Sequence, residues 1–260
     1  MTEPLLIRRD GEIATLVLNR PESHNAISLD MYRTLPGLLD GLDGDPEIKV
    51  VVVRGAGEKS FASGADITEF REVRANAEGA RLYNRAVEAA ERALEGLSKP
   101  TIAMVHGYCI GGGAGLAMAC DLRFADERGR FGITPAKLGL VYSLESTKRL
   151  VDLVGPSRAK WILMSGQHVH AERALGLGLF DELYGVAELE PATYAFAELL
   201  ASRAQFTVRA VKEIVRRIVG GQTEEDDATR ELRNSSFDTD DYAEGVRAFL
   251  EKRAPEFTWS

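Results

Sequence analysis

The sequence predicts an α/β fold in which parallel strands lie buried beneath helices. Residues 48–53 and 101–106 are short runs of apolar and β-branched side chains, and such runs are typical of strands that are covered on both faces. Each run leads into a loop that contains several glycines. From about residue 156 onward, leucine and alanine recur instead at the spacing of amphipathic helices. Together these three observations indicate one α/β unit that ends in helices.

The segments of the first hundred residues can be assigned in order. Residues 5–8 and 13–18 alternate in polarity around an Asp-Gly pair, which predicts a β-hairpin. Ser28 is placed to cap a helix whose apolar residues share one side. Residues 71–97 are rich in Glu, Arg and Ala, so we interpret them as a helix with a solvated face rather than as a binding patch.

The stretch 101–120 is the segment around which we expect a site to form. It is apolar enough to resemble a membrane span, but its five glycines argue against that interpretation. A buried strand up to His106, a loop of bare backbone and a small-residue helix fit better. Successive glycines leave amide N–H groups uncovered, and amides at a helix start lack intrahelical partners. Such a place suits an anionic oxygen.

Three kinds of anion site use glycine-rich loops in this way, and the sequence excludes two of them. A P-loop needs Lys followed by Ser or Thr after the last glycine, where this chain has Leu116 and Ala117. The G-x-G-x-x-G dinucleotide fingerprint fits no register of the cluster. The third kind is an oxyanion hole, whose second amide comes from elsewhere. The glycine-containing loop 54–67 follows a buried strand and is suited to supply it. Glycine-rich packing of helix against strand is the alternative that the residues leave open.

The rest of the chain is predicted to contain two short strands and several helices. Residues 121–125 resume as a strand, 131–142 form a loop that enters a helix, and a short strand returns near 181–184. Leucine and alanine periodicity predicts helices at 157–165, 187–203, 206–219 and 239–252. Because the chain has no repeat and no low-complexity linker, we treat 1–200 as the core and 201–260 as a helical extension of the same unit.

Composition and charge exclude several classes of function. The 260 residues are 45% hydrophobic and 28% charged, which is ordinary for a globular protein. A net charge of −8 argues against nucleic acid and anionic membranes as partners. Cys109 and Cys120 lack a partner at metal-binding spacing, so we expect buried free thiols and no metal site. The N-terminal residues lack the layout of a signal peptide, which favours a cytoplasmic protein.

Five motifs, in order and at family spacing, resemble the crotonase (enoyl-CoA hydratase/isomerase) superfamily over nearly the whole chain. They are NRP with NAI at 19–27, FASGADI at 61–67, HGYCIGGG at 106–113, CDLRFA at 120–125 and FLEKRAPEF at 249–257. The resemblance implies the crotonase ββα spiral, with C-terminal helices that mediate assembly into a homotrimer or a dimer of trimers. It also implies an acyl-CoA substrate, so that coenzyme A enters as a thioester and no separate cofactor is expected.

The resemblance further implies which residues form the site. The backbone amides of Ala65 and Gly112 would form the oxyanion hole. Contacts with the coenzyme A part of the substrate would come from His24, Ala26, Ser63, Asp66, Ile67, Phe249 and Lys252.

Two positions depart from the hydratases of the superfamily. Those enzymes handle water and proton with two glutamates, and this chain has Gly115 and Pro135 at the aligned positions. Neither residue can transfer a proton, so ordinary hydration lacks its expected groups. Decarboxylation of a malonyl-type (methylmalonyl or ethylmalonyl) thioester needs an oxyanion hole but no carboxylate base. It is therefore the reaction that the sequence favours.

Further residues distinguish this reaction from its rivals. The pattern TPxxLGxxY at 134–142 is similar to the methylmalonyl-CoA decarboxylase branch and nominates Tyr142 to hold the substrate carboxylate. That branch, however, has His at the position of Ala65 and Glu at that of Gly115. The rival hypothesis is a double-bond isomerase, or a rearranged hydratase, in which Glu145 supplies a relocated carboxylate. A third hypothesis is a catalytically silent acyl-CoA-binding protein.

Overall fold

Ten strands in two sheets organise the chain in the computed structural model, which describes residues 3–258. In chain order they are β1 (Leu5–Asp10), β2 (Ile13–Leu18), β3 (Val50–Gly55), β4 (Ser60–Ala62), β5 (Thr101–Val105), β6 (Tyr108–Ile110), β7 (Leu122–Asp126), β8 (Arg130–Gly132), β9 (Val169–His170) and β10 (Glu182–Tyr184). The larger sheet has the order β1-β2-β3-β5-β7-β10, with β1 and β2 antiparallel and the other neighbours parallel. The smaller sheet has the order β4-β6-β8-β9, in which β8 and β9 are antiparallel. The predicted hairpin and parallel strands are confirmed.

Eleven α-helices lie between and after these strands within residues 3–258. They are α1 (Leu29–Gly44), α2 (Phe70–Val73), α3 (Ala77–Glu95), α4 (Gly112–Ala119), α5 (Leu144–Val154), α6 (Pro156–Ser165), α7 (Ala171–Leu177), α8 (Val186–Ala201), α9 (Gln205–Val219), α10 (Asp227–Ser235) and α11 (Asp240–Glu251). Short 3₁₀ turns at Pro21–Ser23, Ile67–Glu69, Pro135–Lys137 and Ser236–Asp238 lie in the connections. The predicted helix 71–97 is divided, because Asn76 starts a new helix by accepting the amides of Glu78 and Gly79 on its side-chain oxygen.

From β3 to β8, consecutive strands alternate between the two sheets. β3, β5 and β7 of the larger sheet are followed by β4, β6 and β8 of the smaller sheet, and then by helices. This repeat is the ββα spiral that the resemblance implies. The prediction of uninterrupted loops at 54–67 and 107–111 is wrong, since each contains a strand of the smaller sheet. These strands have only three residues, which is too short for a periodic pattern to be visible.

The strand β3 is covered on both faces, as its sequence predicts. Val51 and Val53 belong to the main core together with apolar residues of α1, α3 and α4. Val50 and Val52 point to the other face and pack in a smaller cluster with Leu189 of α8. Helix α3 packs against both α1 and α4. This packing brings the C-terminal half of α3, with Glu91, next to Gly115 of α4.

The stretch 101–120 forms β5, β6 and α4 rather than one continuous helix. None of the helices in residues 3–258 has the length and apolarity that a bilayer crossing requires. Cys109 and Cys120 within the stretch are buried and unpaired, as predicted. Burial raises the pKa of both thiols, so they pack as small apolar side chains rather than as nucleophiles.

Candidate active site

A cavity of about 420 Å³ lies where the two glycine loops meet. Its wall is formed by parts of the segments 63–67, 70–91, 111–112 and 134–146 and by Tyr32 of α1. These segments follow β4, β6 and β8 of the smaller sheet, so the spiral places their loops side by side. The cavity is therefore the candidate active site.

Two backbone amides border one small space in this cavity. The Ile27 amide donates to the Gly64 carbonyl at 2.8 Å, and the Asp66 amide donates to the Ile27 carbonyl at 2.9 Å. Because successive groups of an extended chain point to opposite sides, the Ala65 amide between them faces away from Ile27. Gly112 is the first residue of α4, so its amide has no partner within the helix. A Cβ on Gly112 would lie 3.6 Å from the Ala65 nitrogen.

Position 112 requires glycine because a tyrosine hydroxyl occupies the adjoining space. A Cβ on Gly112 would lie 2.1 Å from the Tyr32 Oη, well inside contact distance. Tyr32 is only 1% exposed, and its hydroxyl has no hydrogen-bond partner among residues 3–258. Burial raises the pKa of Tyr32 well above its usual value. The hydroxyl therefore stays protonated and is available beside the two amides.

The carboxylate of Glu91, a residue of α3, occupies the space that a side chain at position 115 would fill. A Cβ on Gly115 would lie 2.2 Å from the Glu91 Oε1 and 3.2 Å from the Tyr142 Oη. Glu91 is 2% exposed, and its Oε2 accepts hydrogen bonds from the Ser146 hydroxyl at 2.7 Å and from the Arg149 guanidinium at 2.6 Å. Burial raises the pKa of the Glu91 carboxyl, although these two bonds act in the opposite direction. Oε1, which receives neither bond, lies beside Gly115.

Glu91 is not among the residues predicted for the site, because the composition of residues 71–97 indicates a solvated face rather than a binding patch. The buried residues of α3 are Tyr83, Ala90, Glu91 and Leu94, which recur at the helical spacing of a single face. A glutamate within an apolar stripe was the available signal. The interpretation of residues 71–97 as a solvated face rather than a binding patch therefore needs correction, since Tyr83 and Glu91 on the buried side line the cavity.

Tyr142 lies in the cavity wall, where the sequence predicts it. Its hydroxyl donates a long hydrogen bond of 3.5 Å to the Gly111 carbonyl. Burial raises the pKa of Tyr142 well above its usual value, with the Glu91 charge as a further cause. The phenol is therefore a neutral hydrogen-bond donor next to a carboxylate.

Glu145 is not among the residues that line the cavity. It lies in the first turn of α5, its side chain is 45% exposed, and its carboxylate pairs with the Arg92 Nε at 3.2 Å. The structure thus directs this carboxylate toward α3 and solvent, and it brings Glu91 into the cavity instead.

The loop 61–67 contributes unequally to the cavity. Ser63, Ala65 and Ile67 line it. Asp66 serves the loop itself, because its carboxylate pairs with Arg20 at 2.8 Å and caps the Ile67–Glu69 turn. The hydrogen bond from the Thr68 hydroxyl, together with the Arg20 contact, holds the Asp66 pKa below its usual value. The expected ligand-contacting segment at 24–26 lies beside the loop, since the Ser63 amide donates to the His24 carbonyl at 3.0 Å.

The two C-terminal residues named by the resemblance lie apart from this cavity. Phe249 is 82% exposed and lines a separate groove of about 470 Å³ between the C-terminal helices. Lys252 ends α11 in a left-handed conformation. Neither residue lines the cavity that holds Gly112 and Tyr142.

The comparison with known families agrees with this geometry. The sequence profile described as Enoyl-CoA hydratase/isomerase matches residues 8–259. The chain belongs to this family. It is an acyl-CoA enzyme of the crotonase superfamily, and the predicted fold is confirmed.

Individual family members match this chain over nearly their full lengths. The short-chain-enoyl-CoA hydratase of Clostridium acetobutylicum is 34% identical over 255 residues, which are 97% of this chain and 96% of that protein. The peroxisomal Delta(3,5)-Delta(2,4)-dienoyl-CoA isomerase of Arabidopsis thaliana is 31% identical over 260 residues, with coverage of 95% and 93%. A crystal structure of an enoyl-CoA hydratase/isomerase family protein from Hyphomonas neptunium has a TM-score of 0.97 at 40% identity and covers 100% of this chain and 99% of its own.

Proposed function

We propose that the enzyme isomerises the double bond of 3-enoyl-CoA thioesters, using Glu91 as its base. The observation that carries this proposal is the Glu91 Oε1, which lies 2.2 Å from the point where a side chain at Gly115 would begin. At that point the hydratases of the superfamily carry a glutamate. The proton-transferring group is thus supplied by α3 in place of α4.

The reaction needs an anion site and one group that moves a proton. The thioester oxygen accepts hydrogen bonds from the Ala65 and Gly112 amides, which stabilise the negative charge that develops on it. Glu91 takes a proton from C2, directly or through one water. The electron pair of that C–H bond forms the C2–C3 double bond, while the C3–C4 double-bond electrons take a proton back at C4. The same carboxylate can serve both transfers, so no second acid is required.

The surroundings of Glu91 support its use as a base. Desolvation raises the pKa of the carboxyl, and a higher pKa makes a stronger general base. Ser146 and Arg149 both bond to Oε2, so they fix the carboxylate while Oε1 faces Gly115. Arg149 also bonds to Glu95 at 2.7 Å, which keeps its charge balanced when Glu91 is protonated.

Two competing reactions fit this site less well. Decarboxylation of a malonyl-type thioester is the expectation for a site without a carboxylate base, and the buried Glu91 carboxylate beside Gly115 removes that premise. Hydration in the superfamily uses a second glutamate, and Pro135 lines the cavity at that position. Both reactions are measurable outcomes of the same assay.

The test is a panel of thioesters with matched glutamate variants. Purified enzyme is given 3-hexenoyl-CoA, crotonyl-CoA, methylmalonyl-CoA and ethylmalonyl-CoA, and the products are separated and weighed by mass spectrometry. Isomerisation leaves the mass unchanged but yields the conjugated thioester, whereas hydration adds water and decarboxylation removes CO2. We expect isomerisation to dominate, and Glu91→Gln to reduce it by roughly 10²–10⁴-fold.

Glu145→Gln is the matched control, because it removes a carboxylate nearby that does not line the cavity. It should behave like the parent enzyme. Full activity of a folded Glu91→Gln variant, or CO2 release from the malonyl-type thioesters as the main reaction, would refute the proposal.

A further inference from the structure

Three polar groups in the cavity wall lack a hydrogen-bond partner among residues 3–258. They are the hydroxyls of Tyr32 and Tyr83 and the Nε of Arg74. All three residues line the cavity, and each tyrosine is only 1% exposed. Buried polar groups are nearly always satisfied in folded proteins. The cavity wall therefore offers unused donors to whatever occupies it.

Arg74 is the charged member of this group and is held by aromatic rings. Its guanidinium carbon lies 4.3 Å from the centre of the Phe70 ring and 3.8 Å from that of Tyr83. Cation–π contacts offset part of the cost of burying the charge, and burial lowers the Arg74 pKa. None of the carboxylates in residues 3–258 forms an ion pair with it.

The carboxylates around the cavity are already engaged by groups other than Arg74. Glu91 pairs with Arg149 at 2.6 Å, and Glu88 pairs with Arg92 at 3.5 Å. On the side of Tyr83, the Glu69 carboxylate accepts the Leu29 amide at 2.8 Å, while Asp66 is engaged with Arg20. Arg74 is thus a cation without a counter-ion in a wall whose carboxylates have partners.

An aromatic wall connects this cation with the thioester end of the cavity. The Tyr32 hydroxyl borders Gly112, as described above. The ring of Tyr32 meets that of Tyr83 edge to face at 5.9 Å, and Tyr83 meets Phe70 at the same distance. An acyl chain that starts with its carbonyl at the Gly112 amide and follows these rings runs toward Arg74.

We infer that Arg74 binds a carboxylate at the distal end of the acyl group, so that the preferred substrates are coenzyme A monothioesters of unsaturated dicarboxylic acids. This inference rests on the acyl-CoA function proposed above. The planar guanidinium matches a carboxylate in two parallel hydrogen bonds. The orphaned Tyr83 hydroxyl, whose ring stacks beneath the guanidinium, is a further donor for the same group.

The decisive experiment measures binding without turnover. Hexanoyl-CoA and adipyl-CoA are saturated, have equal chain length and differ only in the terminal carboxylate. Calorimetry on the parent enzyme should give tighter binding of adipyl-CoA, by roughly 10- to 150-fold, as expected for hydrogen bonds to a charged group. Arg74→Gln should abolish that preference, whereas Arg74→Lys should retain part of it.

Arg71→Gln is the matched control, because Arg71 is an exposed arginine of α2 that does not line the cavity. It should keep the preference for adipyl-CoA. Equal binding of the two thioesters by the parent enzyme would overturn the inference. So would an equal loss of both in a folded Arg74→Gln variant, since that result assigns Arg74 to the phosphates of coenzyme A.

Turnover separates this inference from the proposed isomerase. The parent enzyme could bind adipyl-CoA preferentially through Arg74 but isomerise neither 3-hexenoyl-CoA nor 3-hexenedioyl-CoA, its analogue with a terminal carboxylate. In that case the inference about Arg74 stands and the isomerase proposal fails. If both thioesters are isomerised at equal rates and bound equally well, the isomerase stands and the role of Arg74 fails.

Discussion

Replacing Gly115 by alanine tests the spatial relation on which the proposed chemistry depends. The added Cβ would lie 2.2 Å from the Glu91 Oε1, and ordinary contacts begin at 3.4 Å, so the carboxylate must retreat by about 1.2 Å. A displacement of about 1 Å in a reacting group can cost on the order of 10²-fold in rate. We therefore expect kcat for isomerisation to fall by roughly 10²-fold. Alanine itself favours a helix by about 0.5–1 kcal/mol over glycine, so a loss of stability in this variant would report the displaced Glu91 carboxylate, which Ser146 and Arg149 hold in place.

The assay is the rate of conjugated thioester formation, with the melting temperature recorded in parallel. Gly41→Ala is the matched control, because Gly41 also lies within a helix, α1, and a Cβ there meets nothing within 4 Å. In a Glu91→Ala background, Gly115→Ala should have no further effect, since the group it displaces is gone. An active Gly115→Ala enzyme, or an equal effect in both backgrounds, would refute the reasoning.

The same geometry predicts a rescue. The double variant Glu91→Ala with Gly115→Glu moves the carboxylate back to α4 while vacating the space it needs. It should be more active than Glu91→Ala alone. Gly115→Glu without the partner change should be inactive, because two carboxylates would then compete for one place.

Three further predictions concern the amide, the tyrosine and the pH profile. Gly112→Pro removes one donor of the oxyanion hole and should lower kcat by about 10²–10³-fold, while coenzyme A itself still binds; full activity would assign the glycines to packing alone. Tyr142→Phe should be mild on a 3-enoyl thioester, whereas a 10- to 150-fold loss of CO2 release from a malonyl-type thioester would restore the decarboxylase hypothesis. Because the base must be ionised and burial raises the Glu91 pKa, kcat/KM should fall as the pH drops through a value above the ~4.3 of a free glutamate. Ser146→Ala removes a hydrogen bond that lowers the Glu91 pKa and should therefore move the fall in kcat/KM to higher pH. An unchanged pH profile would show that the titrating group is not Glu91.

The sequence predicts those parts of the fold whose signal is local. The valines of β3 and the apolar run of β5 identify buried strands because each run is long enough to display its pattern. The three-residue strands β4, β6 and β8 have no such pattern and exist because the spiral aligns them as neighbours. The smaller sheet is thus a consequence of tertiary packing, which no window of the sequence displays.

The residues of the site also differ in whether a local sequence pattern or tertiary packing reveals them. Ala65 and Gly112 can be proposed from glycine patterns, since a backbone amide needs no particular side chain. Glu91 is 24 residues before Gly115 in the sequence, and its proximity arises from the packing of α3 against α4. Glu145 follows Tyr142 closely in sequence, but α5 turns its carboxylate toward Arg92. Nearness along the chain therefore favoured a glutamate that does not line the cavity.

The close approach of the Glu91 carboxylate to position 115 has a consequence for how related chains are sorted into active and inactive ones. An inventory made column by column from an alignment scores glycine at 115 as a lost function. A carboxylate oxygen is nevertheless present, contributed by a different helix and 2.2 Å from the point where a side chain at 115 would begin. Since the two arrangements compete for the same space, glutamate at 91 should accompany glycine at 115 throughout any lineage that shares this design. Such chains would then be classified as enzymes whose carboxylate is supplied by α3 instead of α4, and not as inactive family members.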